Sequence, residues 1–208
     1  MSDVPIILGS RSPQRRDLLA HLIRASRIEI CPPRDSEEAG FEELLTRDEI
    51  LNRVTEIATR KVEQVRDQRN SPEAVILCAD TTIIATDPDD GAIAVLGQPP
   101  RSGWEEVVRR WFRRYYSERA HEAVTAVVIS SPAGTRSFQV STEVRFAAVT
   151  EKLLDWYIST GEPCGKAGGY ALQGAGSCFV ESLKGSPSNV VGLPLRETWR
   201  ALASLELL

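Results

Sequence analysis

A chain of 208 residues, about two-fifths of them apolar, is long enough to bury a sizeable core without a disulfide or metal staple. Its 25 basic and 29 acidic side chains leave a net charge of −4, which argues against bulk electrostatic attraction to nucleic acid; no stable nucleic-acid binding is expected. Cys31, Cys78, Cys164 and Cys178 form no C-x-x-C pair and only His21 and His121 supply imidazoles, so carboxylates are the expected ligands of any metal.

The cysteine usage fits a reduced, cytoplasmic protein. The first residues lack the basic start and apolar length of a secretory signal, and no stretch approaches the roughly 20 apolar residues of a membrane span.

Residues 4–8 are short, apolar and closed by Gly9, the pattern of a buried strand. Ser12 and Pro13 then start a helix as N-cap and first position, with Leu18, Leu19, Leu22 and Ile23 on one face. A second strand is predicted over residues 27–31, followed by an acidic loop over 32–40. Helical period then runs over 44–67 and stops at Asn70-Ser71-Pro72. Two strand-like runs, 74–79 and 81–86, are divided by Asp80, and a turn over 87–91 joins them to a hairpin strand over 92–96.

A helix over 103–117 is expected to turn Val107, Val108, Trp111 and Tyr115 inward and Arg109, Arg110, Arg113 and Arg114 outward, onto solvent or an interface. Long strands over 122–130 and 135–148, a helix over 150–159, a glycine-rich loop over 161–176, a strand over 177–183 and a helix over 195–207 complete the chain. This order predicts one α/β domain with helices flanking a mixed sheet.

Five places could carry chemistry. At the exit of the first strand, Ser10, Gln14 and Arg15 stand beside free backbone N–H groups at a helix start, where anions bind; a plain Ser-Pro helix start would look the same. Asp80 interrupts an apolar strand, a costly position unless the carboxylate binds metal, acts as a base or caps a turn. Lys61 falls on the edge of the core-facing stripe of its helix, reaching an anion or snorkelling to water. An acidic cluster in and just after that loop comprises Asp35, Glu37, Glu38, Glu42 and Glu43, oxygen donors of the kind Mg²⁺ takes. In the glycine-rich loop, Lys166, Tyr170 and Gln173 combine with glycines that allow close approach to a ligand.

Read together, Ser10-Arg11-Ser12-Pro13-Gln14-Arg15, Ala79-Asp80-Thr81, the run Gly161-Glu162-Pro163-Cys164-Gly165-Lys166-Ala167-Gly168-Gly169-Tyr170 with Gln173-Gly174, and Ser188-Asn189-Val190-Val191-Gly192-Leu193-Pro194 resemble the Maf family of house-cleaning pyrophosphatases, in family order and across nearly the whole chain. The resemblance implies an elongated mixed sheet with two lobes around a central cleft, as in the inosine triphosphatase-like folds. It implies a homodimer, and a nucleoside triphosphate cleaved to monophosphate and pyrophosphate with Mg²⁺ or Mn²⁺.

By match, Ser10, Arg15, Lys61 and Lys166 would hold phosphates. Asp80 and Glu37, with Glu38 as second choice, would hold metal and activate water. Thr81 and Gln173 match the subgroup that prefers pyrimidine nucleotides such as dTTP and UTP. Gln14 and Gln98 stand where many members carry Arg and Lys, which removes two cations. The competing reading is a nucleotide-binding regulator of cell division with weak or no hydrolysis.

Overall fold

The computed structural model describes residues 4–34, 40–41, 43–71 and 73–208. Short strands β1 (Ile6–Leu8) and β2 (Ile28–Ile30) are joined by helix α1 (Pro13–Leu19), and the long helix α2 (Arg47–Arg69) precedes β3 (Val75–Thr86) and β4 (Ile93–Leu96). Helix α3 (Trp104–Trp111) runs into a π-helical segment (Phe112–Tyr116), then come β5 (Ala120–Ser131), β6 (Gly134–Phe146), α4 (Glu151–Ser159), β7 (Val180–Lys184), α5 (Pro187–Val191) and α6 (Leu195–Ser204). The seven strands form one sheet in the order β2-β1-β3-β5-β6-β7, with β4 paired to β3 off that path. β1 is parallel to β2 and β3, and every other pairing is antiparallel, so the expected mixed α/β sheet is borne out.

The pairing of β3 creates the site. One flank of β3 is bonded to β5 over residues 76–84. On the other flank β1 covers only residues 75–77, and β4 takes over at Ile83. Residues 78–82 thus face a notch in the sheet, with no described strand against them.

Side-chain alternation then assigns the faces. Ile76, Cys78 and Ile84 of β3 pack with Val124, Ala126 and Val128 of β5 against Ile50, Val54, Ala58, Val62 and Val65 of α2. On the opposite face Val75, Leu77 and Ala79 join α1 and α6 in one apolar cluster, while Ile83 and Ala85 join α3 and α4 in another. Between these two clusters stand Thr81 and Thr125, direct register partners.

Several expectations change in detail. Asp80 does not divide two strands; β3 is continuous for 12 residues, because β5 bonds its backbone straight through the charged position. α1 ends at Leu19, so Ile23 reaches the core from a turn rather than a helix. The deeply buried residues of the arginine-rich helix are Val108, Phe112 and Tyr116, four apart, with Trp111 and Tyr115 only half-buried. The π segment widens the turn, with the Ser117 N–H donating to Phe112 O at 3.0 Å, and so aligns residues four apart. Residues 175–179 are 3₁₀-helical rather than strand, and α5 is a further helix started by Ser186 and Pro187.

Candidate active site

A pocket of about 850 Å³ fills the notch, lined by the β1–α1 turn, Lys61 of α2, residues 80–83 of β3, the β4–α3 loop and the glycine-rich loop. An edgewise opening explains how it reaches both Asp80 and Thr81, whose side chains leave β3 on opposite faces.

In the β1–α1 turn, Ser12 caps α1 by accepting the Arg15 N–H at 3.3 Å, and Ser10 Oγ accepts the Ser12 N–H at 3.1 Å. The Ser10 N–H goes to Leu8 O and that of Arg16 to Ser12 O. Most backbone donors expected to meet an anion are therefore already bonded, and α1 has only seven residues, so side chains carry the work. Ser10 Oγ also accepts Arg15 Nη1 at 3.4 Å; with its lone pairs taken, its own proton is what it offers a ligand. Gln14 lines the pocket with its carbonyl held by the Ser12 hydroxyl at 3.1 Å.

Arg15 is gripped from two sides, by Gly192 O at 2.9 Å from Nε and by Thr81 Oγ1 at 3.0 Å from Nη2. Lys61 Nζ meets Asp80 Oδ1 at 2.7 Å, with side chains only 16% and 10% exposed. The alternation of β3 turns Asp80 towards α2, and the helical period brings Lys61 to the same face, so this pair bridges the two elements.

Lys166 and Gln173 line the opposite wall, and their side chains make no hydrogen bond or ion pair with a described residue. The backbone beyond Lys166 is fixed by close approach: Gly168 has φ +70, donates to Gly97 O at 2.9 Å and accepts from Tyr116 Oη at 2.9 Å. A Cβ there would lie 2.6 Å from Ile83 and from Tyr116 Oη. Below this wall, Tyr170 lines the pocket and its hydroxyl bonds His121 Nε2 at 2.8 Å. Burial pushes His121 down to about 3, so its imidazole is neutral at physiological pH, and its Nδ1 has no hydrogen-bond partner among the described residues. Burial pushes the Cys78 thiol up to about 12, which removes it as a nucleophile.

Two lining residues were not singled out from the sequence. Arg101, in the β4–α3 loop three residues past Gln98, returns a cation to the wall from which Gln98 removes one. Its only sequence signal was a basic residue after a Pro-Pro turn. Glu162 accepts three hydrogen bonds, from Ala175 N and Gly176 N at 2.8 Å each and from Tyr157 Oη at 3.1 Å, and so holds the 3₁₀ turn that follows Gln173. Glu37 and Glu38 lie outside the described residues. Among the described residues no group of three or more His, Cys, Asp or Glu could hold a metal, which leaves Asp80 as the lining carboxylate best placed to contribute an oxygen.

The described lining residues include five cations, Arg11, Arg15, Lys61, Arg101 and Lys166, against two carboxylates, Asp80 and Glu162. Among the described residues the lining is net positive in a net-negative chain, a balance that favours anions. By contrast, Arg109, Arg113 and Arg114 of α3 and the π segment are tied within the chain, to Asp155, Glu151 and Asp87, while Arg110, Arg113 and Arg114 lie exposed on the outward face expected of them.

An α/β protein with a basic, hydroxyl-lined pocket at a gap in its sheet is built to bind a polyanion such as a phosphate ester. Residues 5–205 match the family model described as Maf-like protein, and the chain belongs to that family. Over 197 residues, 93% of this chain and 90% of the other, it is 39% identical to a dTTP/UTP pyrophosphatase of Anaeromyxobacter dehalogenans. Over 201 residues, 95% and 94% of the two chains, it is 33% identical to a dTTP/UTP pyrophosphatase of Pasteurella multocida. A HAM1 protein from Coxiella burnetii aligns over 69% of this chain and 73% of its own, with 16% identity and a TM-score of 0.42.

Proposed function

We propose that this protein hydrolyses nucleoside triphosphates to the monophosphate and pyrophosphate, with a preference for pyrimidine nucleotides of the dTTP and UTP kind. The observation that carries the reading is the convergence of Ser10, Arg15, Lys61, Arg101 and Lys166 on one pocket around Asp80. The family membership and the names of the relatives, dTTP/UTP pyrophosphatases matched over most of both chains, support it.

In this reading water displaces pyrophosphate at the α-phosphorus: a P–O bond forms to water, the bond to the bridging oxygen breaks, and charge grows on the leaving oxygens. Arg15, Arg101 and Lys166 neutralise that charge, and Ser10 donates its proton to a non-bridging oxygen, preorganised electrostatics of the kind that dominates such reactions. Asp80 has one oxygen on Lys61, and its other can accept a proton from the attacking water. Mg²⁺ or Mn²⁺, held by Asp80 with Glu37 or Glu38, is proposed as cofactor and when bound would supply Lewis-acid polarisation and a more acidic water. Gln173, on the rim with its carboxamide unengaged by described residues, is the candidate reader of the base. A cytoplasmic location is part of the same proposal, supported by four free cysteines; no helix among the described residues is long and apolar enough to cross a membrane. A homodimer is proposed on the family resemblance alone.

The test is pyrophosphate release from a panel of canonical and modified nucleoside triphosphates with Mg²⁺ or Mn²⁺, comparing wild type with Asp80→Asn. Metal-dependent release that vanishes in the variant is the expected result. Nucleotide binding with no release from any of them would replace the enzyme with a nucleotide-binding regulator.

A further inference from the structure

Thr125 and Asn189 are both fully buried polar residues, away from the pocket lining, and no role in the chemistry above uses them. Their hydrogen bonds nonetheless end on Arg15. Arg15 Nη2 donates to Thr81 Oγ1 at 3.0 Å, Thr81 Oγ1 lies 2.9 Å from Thr125 Oγ1, and the Thr125 hydroxyl donates to Asn189 O at 3.0 Å.

The direction of this chain is fixed by counting protons. A guanidinium can only donate, and each threonine has one proton. If Thr125 spent its proton on Thr81, its oxygen would face Asn189 O at 3.0 Å with no hydrogen between them, a repulsive contact in a dry site. All three contacts are satisfied only when Arg15 donates to Thr81, Thr81 to Thr125 and Thr125 to Asn189.

The other grip on Arg15 returns to the same residue. Gly192 O accepts Arg15 Nε, and Gly192 N–H donates to Asn189 O at 2.9 Å. Asn189 is in turn anchored to the sheet, its Nδ2 donating to Ala123 O at 2.9 Å and to Thr142 Oγ1 at 3.0 Å. Two branches, one through the hydroxyls and one through the α5 backbone, thus set both edges of the guanidinium from one buried asparagine.

We propose that Thr125 and Asn189 are positioning residues of the site: through Thr81 and Gly192 they fix the orientation in which Arg15 meets a polyphosphate. A consequence follows for Thr81. With its proton committed to Thr125 it can accept from a ligand but not donate, so it is not a phosphate-binding hydroxyl. The inference builds on the triphosphate reading above, but its test does not need turnover.

The experiment is a double-mutant cycle with Thr125→Val, Thr125→Ala, Thr125→Ser, Arg15→Lys and Arg15→Lys/Thr125→Val, each first checked for cooperative unfolding. Binding of inorganic tripolyphosphate is followed by calorimetry, and KM and kcat are measured with dTTP. Thr125→Val is expected to weaken tripolyphosphate binding and raise KM about tenfold, the effect of loosening one charge-assisted contact, with kcat changed less. Thr125→Ser is expected to restore wild-type values, and adding Thr125→Val to Arg15→Lys to cost nothing further. If Thr125→Val does not fold, Thr125→Ala serves in its place. Wild-type affinity in either folded variant, or penalties that multiply in the double variant, would overturn the proposal. Wild type that binds tripolyphosphate but cleaves no nucleotide would instead remove the hydrolase reading and leave this inference to be judged on the binding cycle.

Discussion

Lys61 Nζ and Asp80 Oδ1 meet at 2.7 Å across the seam between α2 and β3, a charge pairing in the pocket wall. Each is a largely buried charge on an element that is otherwise apolar on that face, so each offsets part of the cost of burying the other.

Lys61→Met is therefore expected to destabilise the fold by about 3 kcal/mol, towards the low end for a broken buried pair because the pocket admits water. Lys61→Met/Asp80→Asn should recover part of that loss, since the carboxylate that had faced Lys61 becomes a neutral amide. Urea unfolding of the two variants and wild type decides it; equal stability of the single and double variants would show that the pair is not energetically coupled. Asp80→Asn alone should lower turnover by at least about 100-fold while circular dichroism stays unchanged.

Gly9 sits where β1 ends, and a Cβ there would come within 2.3 Å of Cys78 Sγ and 3.0 Å of Val65. Gly9→Ala is expected to cost about 1–3 kcal/mol by overpacking between β1, β3 and α2. Gly9→Ala/Cys78→Ala should be more stable than Gly9→Ala, because the sulfur is the atom in the way. A double variant no better than the single one would place the strain elsewhere.

His121 lies among Tyr116, Phe146 and Tyr170, buried and neutral. Its folded value near 3 is below the unfolded 6.5, so the unfolded chain binds the extra proton first as pH falls. Stability attributable to the neutral ring is whole above pH 6.5 and is lost progressively below it, by up to about 1.4 kcal/mol per pH unit until pH approaches the folded value. His121→Phe should flatten the fall in melting temperature between pH 6.5 and 4. An unchanged slope would assign the acid sensitivity to carboxylates such as Asp87, whose value Arg114 holds below the usual range.

Glu162 fixes the turn after Gln173 through two backbone N–H groups. Glu162→Gln keeps the shape but cannot accept two N–H bonds with equal strength, so Gln173 should lose its fixed placement. The expected outcome is a smaller ratio of kcat/KM for dTTP over dCTP, by about three- to tenfold, with a smaller change in the rate on dTTP itself. A preserved ratio would mean the base is read elsewhere.

Arg101 makes no hydrogen bond or ion pair with a described residue and faces the pocket. Arg101→Ser is expected to raise KM for triphosphates about tenfold and to flatten the dependence of KM on salt, since one screened attraction is gone. Unchanged salt dependence would remove Arg101 from the phosphate wall.

The sequence by itself determined whatever depends on neighbours within a few residues. Ser12 and Pro13 start α1 because a cap and a fixed φ act locally, and strand alternation sends Asp80 and Thr81 to opposite faces of β3 for the same reason. The motifs also marked Ser10, Gln14, Arg15, Lys61, Asp80, Thr81, Lys166 and Gln173, and all eight line one pocket. Tertiary structure decided what each of them touches. Arg15 finds its acceptors on Gly192 and Thr81, far along the chain, and Thr125 acquires a role only because β5 is in register with β3. Arg101 and Glu162 join the site through loops whose paths no local period encodes. The notch itself exists because β1 stops three residues into its pairing with β3 and β4 begins again at Ile83, a gap set by non-local pairing that no window of the sequence contains.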